Sequence, residues 1–166
     1  IGPALKKAVE MILSSQAKNS RGAWRYSPES NDADTTVSGA QMVALYAARN
    51  AGIPVPDKAI KTGLNYYRTN QSEDGGFGYS SASGSNGPRS AIGALVFALA
   101  KQKDTREFKA AFRYIQQVGF QESSYPYYYL YYASQAFFLG DMKVFEKWNK
   151  NNVRWLAGYQ NSDGSW

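Results

Sequence analysis

The residues of this 166-residue chain whose type and spacing could do chemistry are two carboxylates and a run of tyrosines. Asp32 and Asp34 stand in Asp32-Ala33-Asp34-Thr35-Thr36. A pair of carboxyl groups can act as general acid and base, and inverting glycoside hydrolysis needs them about 6.5–9.5 Å apart across a cleft. Asp32 and Asp34 could reach that separation, although a close pair on one loop seldom straddles a sugar. The competing assignment is structural. Asp34 precedes an apolar, charge-free stretch and is a favoured helix N-cap, worth about 1 kcal/mol; the local sequence favours the cap. The tyrosines lie in Tyr125-Pro126-Tyr127-Tyr128-Tyr129-Leu130-Tyr131-Tyr132. Their faces could line a cavity and stack on a sugar ring or attract a cation. At helical spacing they surround the helix, so most must be packing. Tyr127 and Tyr128, with Arg89, are the candidates for ligand contact.

Composition removes many other chemistries. The chain holds no cysteine and no histidine, which excludes disulfides, thiol nucleophiles, Ser-His-Asp triads and zinc sites built from Cys or His. No metal and no cofactor are expected. Gly76-Phe77-Gly78 is not a phosphate loop, because no strand precedes it and no Lys-Ser/Thr follows. The net charge is +6, from 19 Lys+Arg against 13 Asp+Glu, but the basic residues are scattered singly or in pairs. That is the pattern of solvated helix faces, and no specific nucleic-acid binding is expected. No apolar run approaches the roughly 18–20 residues that span a bilayer, and the first residues lack a secretory pattern. A soluble globular domain follows, with 43% hydrophobic residues to build its core; nothing assigns a compartment.

The elements that must position these residues repeat. Three helical stretches end alike: Gln16 leads to Gly22-Ala23-Trp24, Gln71 to Gly75-Gly76-Phe77, and Gln160 to Gly164-Ser165-Trp166. A degraded copy ends at Gln116 without the Gly-x-aromatic turn. Between them lie stretches without charge, 36–48, 90–100 and 125–140, whereas 3–16, 57–70, 106–118 and 145–159 mix apolar residues with Lys, Arg and Glu at helical spacing. A helix apolar all round is buried on most sides, while an amphipathic one has a wet face. Their alternation predicts an all-α fold of helical hairpins, with uncharged inner helices wrapped by half-polar outer ones, as in an α/α barrel or part of one. Gly52 is expected to close one helix and Asp57 to cap the next. The turns at Asp74-Gly75-Gly76 and Asp163-Gly164 favour positive φ, and the Gly/Ser-rich segment 80–88 is expected to be a mobile loop at one rim.

The Gln…Gly-x-aromatic ending resembles the QW repeat of squalene and oxidosqualene cyclases, shared more loosely with the β subunits of protein prenyltransferases. Asp34-Thr35-Thr36-Val37-Ser38-Gly39, Asp74-Gly75-Gly76-Phe77-Gly78-Tyr79 and Tyr131-Tyr132-Ala133-Ser134-Gln135-Ala136 are similar to segments of bacterial prenyltransferase/squalene-oxidase repeat proteins. The resemblance spans the chain and implies one α/α-toroid domain over residues 1–166. A closed toroid of that family takes about twelve helices and seven are legible, so the chain is expected to be a fragment that could self-associate through apolar edges. The cyclase acid motif is Asp-x-Asp-Asp-Thr at the start of an inner helix. The resemblance would place Asp34 on its proton donor and Asp32 on the preceding acid, with Thr35 where the family has a third Asp. A donor must stay neutral near pH 7, and the missing acid weakens that tuning. The prenyltransferase zinc ligands have no counterpart here. The leading expectation is a structural, ligand- or protein-binding module, with a hydrophobic or sugar ligand in a helical cavity. The alternatives are a terpene-cyclase-like enzyme using Asp34 as acid and a carbohydrate-active α/α barrel.

Overall fold

The computed structural model describes residues 2–119 and 124–166. Among these residues seven helices follow one another: α1 (Gly2–Lys18), α2 (Thr35–Asn50), α3 (Asp57–Thr69), α4 (Gly87–Leu99), α5 (Arg106–Gln117), α6 (Pro126–Gly140) and α7 (Met142–Tyr159). The chain is all-α. Among the described residues, the one β-type pairing is an isolated bridge between Gln71 and Phe77 inside a turn.

Charge sorts the helices into depth. The nearly uncharged α2, α4 and α6, whose charges are Arg49 in α2 and Arg89 in α4, pack side by side, and each strongly charged helix packs against one of them. Eleven of the thirteen residues of α4 are buried, the exceptions being Arg89 and Leu99. In α1 only Val9, Ser15 and Gln16 are buried, and in α7 only Asn152. The uncharged stretches are not equally interior. α4 has an uncharged neighbour on both sides, whereas among the described residues α2 and α6 have one each. Hence α6 leaves Tyr127, Tyr131, Phe138 and Leu139 exposed.

Close approach in this inner layer depends on Gly93. A Cβ there would lie 2.4 Å from the ring of Phe77, which is wholly buried and meets Tyr67 edge-on at 5.5 Å and Phe97 stacked at 6.3 Å.

Several helix ends differ from the sequence expectation. The N-cap of α3 is Pro56, not Asp57; Asp57 is the first helical residue, and its carboxylate takes Arg49 Nη2 at 2.8 Å instead of backbone amides. The segment 80–88 is not loop throughout. Asn86 caps Arg89 N, and Gly87 and Pro88 already belong to α4, since proline suits a first turn whose N–H has no intrahelical partner. α7 begins at Met142 rather than 145, because the Asp141 carboxylate accepts from Lys143 N and Val144 N.

Burial pushes the phenols of Tyr66, Tyr67 and Tyr129 up, and that of Tyr46 to about 12. Unfolded tyrosine ionises near pH 10. The stability these phenols contribute is therefore complete below about pH 10 and is lost as pH rises toward the folded values. Denaturant unfolding measured at intervals from pH 9 to 12 should show a progressive fall in stability; a flat profile would contradict this burial.

Candidate functional site

The three Gln turns set the frame of the site. Gln16 Nε2 donates to Gly22 O and to Ala59 O in the first turn of α3, both at 2.9 Å. Gln71 Nε2 donates to Gly75 O at 3.0 Å and to Glu107 O in the first turn of α5 at 2.9 Å. Each glutamine thus ties its own turn to the start of the next charged helix. Gly22, Gly75 and Gly164 adopt positive φ of 65°, 90° and 84°, which side-chain-bearing residues seldom do. The aromatic residues are fixed as well. Trp24 N donates to Ser38 Oγ of α2, and Phe77 N to Ser90 Oγ of α4. The third turn keeps half of this pattern. Gln160 Nε2 donates to Gly164 O at 2.8 Å, and Trp166 Nε1 to Leu156 O as Trp24 Nε1 does to Ile12 O, but Trp166 is exposed where Trp24 is buried. The degraded copy makes no such tie among the described residues: Gln116 Nε2 donates to Phe112 O within its own helix.

Two of these turns are joined at Thr35. Its N–H donates to Tyr79 O, its Oγ1 to Gly78 O, and its carbonyl accepts from the buried Tyr67 hydroxyl. The joint brings the segment after Trp24 against the segment after Phe77 at the N-terminal ends of α2 and α4. Tyr26 and Tyr79 stand with hydroxyls 3.1 Å apart, and the Arg25 guanidinium lies over both rings, at 5.6 and 5.2 Å. Arg89 covers Tyr79 from α4 at 5.8 Å, while its Nε donates to Asn86 Oδ1 at 2.9 Å. Tyr128 of α6 completes the wall. Tyr26, Tyr79, Arg89 and Tyr128, together with Thr36, line a groove of about 540 Å³ across the starts of α2, α4 and α6, with Arg25 behind the two tyrosine rings. Burial lowers the Arg89 pKa, opposed by Tyr114, Tyr79 and Tyr125. The hydrogen bond with Tyr26, then burial, raises Tyr79 to about 12; burial first, then Tyr132, raises Tyr128. These phenols stay protonated near neutral pH and can donate hydrogen bonds.

The acid pair lies behind this groove, not on its wall. Asp34 is wholly buried. Its Oδ1 accepts from Thr36 N and Val37 N, both at 2.8 Å, and from the Thr36 hydroxyl, which is the N-cap of α2. Its Oδ2 has no hydrogen-bond partner among the described residues and lies 3.7 Å from Arg25 Nε. Asp32 is a surface residue, its side chain 66% exposed, held 3.1 Å from Arg25 Nη1. The two carboxylates therefore share one arginine and do not face each other across a cleft.

Of the expected ligand contacts, Arg89 and Tyr128 meet in the groove. Tyr127 does not join them. One residue earlier on α6, it points to another side and lies 5.8 Å from the Trp155 ring of α7. Sequence reasoning missed Arg25, Tyr26 and Tyr79. A signal was present: each tyrosine stands two residues beyond the aromatic of its turn, Trp24 or Phe77. A larger hollow, about 690 Å³, lies between α1 and α3, but its Gln16 is already bonded to backbone carbonyls.

Among the described residues no helix is long and apolar enough to cross a membrane, and no three acidic residues gather as a metal site would need. Comparison with protein-family models, with curated proteins and with solved structures gave no match to this chain.

Proposed function

We propose that the chain is a non-catalytic module of the squalene-cyclase and prenyltransferase repeat type, one that binds a ligand in the tyrosine groove. The observation that carries this reading is the placement of Asp34. A general acid must touch the atom it protonates, and this carboxylate is wholly buried with one oxygen taken by the cap. Asp32 is drawn to the surface by Arg25, so among the described residues the groove wall holds no carboxylate for either cyclase or glycosidase chemistry. The repeated bonding of Gln16 and Gln71 supports the repeat assignment, since both copies join a turn to the following charged helix in the same way.

Turnover decides between this reading and an enzyme. The protein and its Asp34→Asn variant are incubated with squalene and with geranylgeranyl diphosphate, and products are followed by gas chromatography. Neither protein is expected to form product. Asparagine is itself a good N-cap, so the variant should remain folded, about 1–2 kcal/mol less stable for losing the charge beside Arg25. Product from the unsubstituted protein that disappears in Asp34→Asn would establish the acid and end the non-catalytic reading.

A further inference from the structure

We infer that the groove is a binding site for an acidic sugar ring, with the Arg89 guanidinium taking its carboxylate and the faces of Tyr26 and Tyr128 taking the ring. This rests on the groove being a ligand site, as proposed above.

Four arginines are half-buried: Arg25, Arg49, Arg68 and Arg89. Three have carboxylate partners. Arg25 has Asp32 and Asp34, Arg49 has Asp57 at 2.8 Å, and Arg68 has Glu107 at 3.3 Å. Arg89 has none among the described residues. Its Nε is taken by Asn86, while none of the described residues offers an acceptor to its Nη1 or Nη2. It is also the single charge on α4, a helix otherwise buried except at Leu99. Drawing a cation partly out of water without a partner costs free energy, which an anion placed against it offsets. The first-turn amides of α2 and α4 are already engaged, by Asp34 and Asn86 respectively. Among the described residues that line the groove, the one formal positive charge is the Arg89 guanidinium. Its two Nη groups form a planar fork that fits the two oxygens of a carboxylate.

The rest of the wall selects what carries that carboxylate. Tyr26 is 75% exposed and Tyr128 40%, so the groove is open and wet. A hydrocarbon chain lying there would keep much of its surface in water and gain little. A hydroxylated ring loses less: its C–H face meets the negative face of a tyrosine, and its hydroxyls meet the protonated phenols and Thr36. A sugar acid carries both parts.

The full chain is titrated by calorimetry with trigalacturonate, with its methyl ester and with inorganic phosphate, and the first two titrations are repeated on Arg89→Gln and Arg89→Lys. Trigalacturonate should bind, with the ester and phosphate each at least tenfold weaker. Arg89→Gln should lose at least tenfold toward the acid and little toward the ester, Arg89→Lys should fall between, and far-UV circular dichroism should be unchanged. Equal binding of acid and ester would overturn the anion assignment while leaving the groove as a sugar site. Phosphate binding as tightly as trigalacturonate would overturn the sugar ring. Absence of trigalacturonate binding by protein with native circular dichroism would overturn the inference altogether, whereas the non-catalytic reading stands or falls on turnover.

Discussion

Phe77→Ala is expected to destabilise the protein by about 3–5 kcal/mol, lowering the melting temperature by roughly 10 °C or more for a chain of this size. The ring is wholly buried between Tyr67 and Phe97 and fills the space that Gly93 leaves free, so truncation opens a cavity in the middle of the inner layer. Gly93 makes the test sharper. The three atoms nearest to a methyl placed on Gly93 all belong to the Phe77 ring, at 2.4 to 3.0 Å. Gly93→Ala alone should therefore be strongly unfavourable, since buried ring and helix backbone must both shift. In the Phe77→Ala background the added methyl enters the cavity instead, and the two substitutions should couple by more than about 1 kcal/mol. Thermal denaturation of the two single variants and the double variant measures this. Additive losses would mean that the ring and the glycine do not oppose each other.

The second large effect is expected at the glutamines, and its size should depend on which copy is changed. Gln16→Ala removes both bonds of a buried side chain and leaves Gly22 O and Ala59 O without that donor. Each lost hydrogen bond costs about 0.5–1.5 kcal/mol net, so a loss of roughly 1–3 kcal/mol is expected for the pair. Gln160→Ala removes one bond at an exposed turn and should change stability by no more than about 0.5 kcal/mol. Chemical denaturation of the two variants provides the comparison. A similar loss in both would place the effect inside the turn and remove the tie to the next helix as its cause.

The layered arrangement was legible because charge is a direct record of solvent contact. A helix such as α4, with Arg89 as its one charge, has few other ways to meet water. The turns were legible for a different reason: Gln, Gly and an aromatic ring repeat at matching offsets, and each has a separate physical task. Helix starts were harder. Asp57 has the right type for a cap but lies one residue too late, where Arg49 offers its carboxylate a stronger partner. The acid pair was legible as a cap and only that far, because the sequence does not say that Arg25 returns to hold both carboxylates. The groove was half legible. Arg89 and Tyr128 were in view, but Tyr26 and Tyr79 join them through bonds at Thr35 that link residues more than 40 positions apart. Tyr127 was misplaced because neighbouring positions on a helix point about 100° apart.

The glutamine ties also bear on the order in which the chain acquires its shape. Each reaches forward only as far as the next charged helix, from Gln16 to Ala59 and from Gln71 to Glu107. They close loops of 43 and 36 residues, and the entropy cost of such closure rises only slowly with length. Growth can then start at any hairpin and spread to its neighbour, and loss of structure should begin at the periphery, with α4 the last to come apart.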